Sequence, residues 1–101
     1  MSISIIWDKE AGVDGYNLYR SPDPMLNGAK INAVMIPQPL TDEVEYIDST
    51  VLNGNVYYYR VTSIVGTSES QFSDSIRVPV GLPMDFTPLQ VSIIRIEKRG
   101  N

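Results

Sequence analysis

With 101 residues, no Cys, no His and a formal net charge of −4, the chain has the length of one domain and lacks disulfides, thiolate metal sites, Cys nucleophiles and the commonest general base. An acidic balance gives no basic face for phosphates, so nucleic acid is not expected among its partners. Apolar residues at 43% and charged residues at 20% suit a globular domain, with Tyr, at six copies, the enriched aromatic.

Residues 2–8 alternate, with Ile3, Ile5 and Trp7 on one face and Ser2, Ser4 and Ile6 on the other, as a half-buried strand does. Residues 9–15 hold two glycines and read as a turn. A second strand follows at 16–20, with Tyr16 and Leu18 opposed to Asn17 and Tyr19. The segment 21–28, with two prolines and Asn27-Gly28, is a loop. Residues 30–36 read as a short strand that Pro37 and Pro39 confine to an edge.

A fourth strand spans 44–48, and the turn at Asn53-Gly54 leads into the strongest one, 56–65. There Tyr57, Tyr59 and Val61 face opposite to Tyr58, Arg60 and Thr62. A polar loop at 66–72 precedes a sixth strand at 73–80. Short strands with regular turn signals and no helical period predict an all-β antiparallel sandwich over residues 1–80. Residues 81–90, with two prolines, read as a linker. Residues 91–97 read as an extra C-terminal strand, and the last four as frayed.

The apolar runs are too short to span a membrane as a helix. The strand-like sequence begins within two residues of Met1, with no charged leader, so cytoplasmic synthesis without a signal peptide is expected.

Several motifs in order resemble a fibronectin type III domain, an immunoglobulin-like sandwich. Trp7 ends the first strand, as the family's core Trp ends strand B. Residues 15–20, Gly-Tyr-Asn-Leu-Tyr-Arg, look like the GYxVYR form of strand C. Residues 45–49, Glu-Tyr-Ile-Asp-Ser, resemble the SYxDx motif of strand E, and 53–62 is close to the NGxxYYYRVT run of strand F. Gly66, Glu69, Ser70 and Ser73 resemble the approach to strand G. The resemblance covers residues 2–80. It assigns Tyr57 to the tyrosine corner, its hydroxyl tied to backbone near Leu52. It also implies a core of Ile3, Ile5, Trp7, Tyr16, Leu18, Ile31, Tyr46, Tyr57, Tyr59 and Val61.

The chain departs from that family by starting at strand B. Without strand A, the backbone edge of residues 2–7 is open to another strand. The spare strand at 91–97 has three places to go. It can turn back antiparallel into its own vacant slot, fill the slot of a neighbouring copy, or anchor to a different protein. The first requires the ten-residue linker to reach at most about 33 Å, roughly the length of such a sandwich.

Candidate interface residues are therefore Ile3, Ile5, Val91, Ile93, Ile94 and Ile96 along the edge and tail. Tyr19 and Tyr58 join them as an outward pair on neighbouring strands, where sheet stabilisation is the competing role. Trp7 and Tyr57 are structural. The acidic run Asp42, Glu43, Glu45 reads as a solvated edge; no Ca²⁺ loop spacing accompanies it. Arg60 and Arg77 are expected to balance carboxylates. Residues 1–80 carry ten acids and five bases, and 81–101 two acids and three bases, an asymmetry that either steers copies together or solubilises the end.

No catalytic, metal or cofactor-binding residues are assigned. The function expected is that of a non-enzymatic structural or accessory subunit associating with other protein subunits, itself included. By fold analogy a bacteriophage virion component (decoration, neck or tail) fits. The alternative is a protein- or carbohydrate-binding spacer module of a larger secreted protein.

Overall fold

The computed structural model describes residues 2–80 and the backbone of residues 89–94. The described residues form strands and no helix, so none is long and apolar enough to cross a membrane. In chain order the strands are β1 (Ile3–Asp8), β2 (Gly15–Ser21), β3 (Ala29–Lys30), β4 (Ile36–Pro37), β5 (Glu43–Asp48), β6 (Val56–Val65), β7 (Ser68–Glu69), β8 (Ile76–Pro79) and β9 (Leu89–Ile94). One sheet has the order β5-β1-β9; the other runs β3-β2-β6-β7, with β4 also on β2 and β8 also on β6. All pairings are antiparallel except β1 with β9, which is parallel.

Alternation along the long strands decides what lies inside. Ile3, Ile5 and Trp7 of β1, Tyr16 and Leu18 of β2, Val44 of β5 and Tyr57, Tyr59 and Val61 of β6 share one buried cluster. Val51, Val78, Val80 and Ile36 complete it. Trp7 sets its ring edge-on against Tyr16, centroids 5.6 Å apart, a favoured aromatic geometry. Fully burying each of these side chains contributes about 1.5–3 kcal/mol. Ile31 and Tyr46, expected inside, are only half-buried against the cluster.

The segment expected as one strand over 30–36 is instead two short pairings, β3 and β4, joined by an irregular stretch. Asn32 explains the break. Its buried side chain accepts the Leu18 N–H at 2.8 Å and donates to Val34 O and Asn17 Oδ1, each at 2.9 Å, and so replaces ladder bonds. Gly28, ahead of β3, has φ +87°, and a Cβ there would lie 2.2 Å from Arg20 O, so only glycine closes this loop.

The polar loop expected at 66–72 contains β7, a two-residue pairing that turns back onto the end of β6. The sixth strand is shorter than expected, Ile76–Pro79. Before it, Ser70 and Ser73 hydroxyls accept the N–H groups of Ser63 and Val61, both at 2.9 Å, so side chains continue the ladder.

Candidate functional site

The edge of β1 is not free. Residues 2–7 were expected to expose it, but β9 lies along it, with Ile3 opposite Leu89, Ser4 opposite Gln90, Ile5 opposite Val91 and Trp7 opposite Ile94. The register shifts between Ile5 and Trp7. The tail thus enters its own chain's slot in the direction opposite to the antiparallel fit expected. Topology supplies the reason. The end of β8 pairs with the start of β6, and the start of β1 pairs with the end of β5, so one pole holds both the exit from β8 and the start of β1. A parallel β9 starts at that pole, and the chain need not first travel the length of the sandwich.

Among the candidate interface residues, Ile3 and Ile5 are fully buried in the core, so their side chains are not at a surface. Val91, Ile93 and Ile94 lie on β9. Ile96 lies outside the described residues. β9 begins two residues earlier than the strand expected at 91–97.

Tyr19 and Tyr58 share the outer face of the β2–β6 pair but are not opposite each other. Tyr19 is registered against Arg60, and Tyr58 against Ser21 on one side and Arg77 on the other. Tyr19 is half-buried, edge-on to Phe72 at 4.8 Å, and its hydroxyl donates to Glu69. Arg60, expected to balance a carboxylate, donates instead to Pro24 O at 2.7 Å, Leu26 O at 3.0 Å and Asn27 Oδ1 at 3.1 Å. It pins the 22–28 loop, because three backbone or amide oxygens converge on its planar fork.

Two carboxylates organise polar clusters that spacing did not single out. Glu69 Oε2 accepts from Thr62 Oγ1 at 2.6 Å, from Asn17 Nδ2 at 3.3 Å and from Tyr19 Oη. Burial alone raises its pKa; the donors, with Lys30 nearby, outweigh that and hold it below the ordinary Glu value. Burial first, then the bond to Glu69, pushes Tyr19 up to about 12.

Asp48, only 3% exposed, accepts from Arg20 Nη1 and Tyr59 Oη at Oδ2, and from Thr50 Oγ1 at Oδ1, each at 2.7 Å, with the Thr50 N–H at 3.0 Å. Burial raises its pKa too, and again the donors prevail and lower it. Tyr59 is pushed well above the ordinary Tyr value by burial and by its bond to Asp48. Arg20 also stacks over the Tyr57 ring at 4.8 Å, a cation–π contact. The Tyr57 hydroxyl accepts the Leu52 N–H at 3.0 Å, the contact that the resemblance implies for this tyrosine.

The outer face of the β5–β1 pair carries an open groove of about 730 Å³, where Asp8, Asp42, Glu43 and Glu45 surround Ile6 and Pro39. Glu45 accepts from Ser4, and Lys9 Nζ donates to Pro39 O at 3.1 Å. Among the described residues no group of three or more carboxylates is arranged to hold a metal ion. Comparison of the chain with protein-family models, with curated proteins and with solved structures finds no match in any of the three.

Proposed function

We propose that this chain is a non-enzymatic structural or accessory subunit of a larger protein assembly, built on a fibronectin type III-like sandwich and associating through its sheet edges and C-terminal strand. The observation that carries the reading is the seating of β9 on β1. A terminal segment that follows the last strand of one sheet crosses over to form the outer strand of the other. Main-chain pairing of that kind serves both folding and strand-mediated association.

The family part of the reading rests on the β5-β1 pair facing β3-β2-β6, on buried Trp7 and on the Tyr57–Leu52 contact. A virion decoration, neck or tail component is one role that fits such a subunit, by analogy of fold. The test is to size and melt the full chain beside a form ending at Val80. The full chain is expected to associate and to melt higher. Two equally stable monomers would sink the reading.

A further inference from the structure

The β5-β1-β9 sheet has two outer strands, and their sequences differ in kind. β5 reads Glu-Val-Glu-Tyr-Ile-Asp, with exposed carboxylates at Glu43 and Glu45. Pairing β5 with another β5 would crowd these like charges along one seam, which is destabilising. Charges along an edge are a standard guard against such pairing. β9 reads Leu-Gln-Val-Ser-Ile-Ile, with no charged residue and no proline. Among the described residues no strand lies beyond it. A strand bonded on one side directs alternate N–H and C=O groups outward on the other. Such a row is a template for another strand.

We infer that a second copy of this chain supplies it: the two β9 strands pair antiparallel about a two-fold axis, giving one continuous sheet in the order β5-β1-β9-β9-β1-β5. The inference rests on the assembly reading above and gives it a partner. Two-fold symmetry sets the neutral segment against itself, so the seam holds no charge mismatch in a chain whose net charge is −4. It also leaves the acidic β5 strands at the two far ends, where they guard the sheet against further growth. The assembly closes at two copies.

Sedimentation of the full chain over a wide concentration range tests this. The expected mass is twice the 11.3 kDa monomer, falling toward one copy on dilution. Lysines guard edges, so the double variant Gln90→Lys/Ser92→Lys is expected to weaken the dimer at least tenfold, with the far-UV spectrum and melting of the monomer kept. Glu43→Gln on the opposite edge leaves the dimer unchanged. A monomeric wild type, or a dimer indifferent to the lysines, overturns the inference.

A Ser4→Cys/Gln90→Cys variant separates edge pairing from strand exchange, since the chain has no other Cys. Oxidation within one chain supports edge pairing. A covalent dimer in which peptide mapping finds position 4 of one chain joined to position 90 of the other shows exchange and overturns it. Failure here leaves the assembly reading standing unless removal of residues 81–101 changes neither stability nor association.

Discussion

Asp48 and Glu69 do the same job in different solvents. Each carboxylate gathers side-chain donors from other segments of the chain, Asp48 between the sheets and Glu69 on an exposed outer face. Asp48 binds β5 to β2 and β6 across the sandwich, through Arg20 and Tyr59. Glu69 binds β7 to β2 and β6 within one sheet. Exposure decides what each is worth. Removing a partner from a buried ionic cluster leaves desolvated groups uncompensated, whereas water replaces a lost partner at the surface.

The largest expected effect is therefore at Asp48. Asp48→Ala strips the acceptor from Arg20, Tyr59 and Thr50 and should cost about 3 kcal/mol in urea unfolding. A loss below about 1 kcal/mol would mean that water enters the inter-sheet site and that the contrast with Glu69 fails. Tyr59→Phe comes next, at about 1.5 kcal/mol, because it removes one of several donors to a charged acceptor.

The same variants reshape the pH dependence. A carboxyl whose folded pKa is lowered contributes stability that is present above its unfolded value, about 4, and is lost as pH falls through the folded one. Asp48 and Glu69 both stabilise in that sense. Tyr59 has the opposite sign: its folded pKa is raised, so its contribution is full below about pH 10 and is lost as pH rises beyond it. Unfolding free energy measured against pH should fall on both sides. Asp48→Asn should flatten the acid limb, and Tyr59→Phe the alkaline one. An unchanged alkaline limb in Tyr59→Phe would remove the Tyr59–Asp48 bond from the account.

Much of this cluster was present in the alternation of the strands. Counting by twos along β5 from Val44 reaches Tyr46 and Asp48, and along β2 from Tyr16 reaches Leu18 and Arg20. An acid and a base thus fall on the core face, where neither is stable without the other. A reading that sorted residues by apolar character kept Tyr46 and Leu18 and passed over their charged successors. The 30–36 segment departs from the single strand expected for a different reason: Asn32 makes tertiary bonds that no local pattern encodes. The direction of β9 was likewise hidden, since it depends on which pole β8 ends at. Tyr57 was legible only through the resemblance, whose tyrosine corner implies the Leu52 contact seen here.

Tyr57→Phe tests that local contact and should cost about 1 kcal/mol, the typical value of one hydrogen bond. Its effect lies between those of the two carboxylates. A Tyr57→Phe loss as large as that of Asp48→Ala would place the corner, rather than the inter-sheet ion pair, at the centre of the fold.

Glu69→Gln should change stability least, by less than about 1 kcal/mol, since the site is exposed and an amide still accepts from Thr62 and Asn17. Its clearer signature is spectroscopic. Tyr19 stands at about 12 through burial first and the Glu69 carboxylate second. Removing the charge while keeping the packing on Phe72 should bring the Tyr19 titration part of the way back toward 10, seen by ultraviolet absorbance. The Tyr59 titration should not move, because its partner is Asp48. If both tyrosines shifted together, the two clusters would be one coupled system, and the division between a buried and an exposed carboxylate would lose its physical basis.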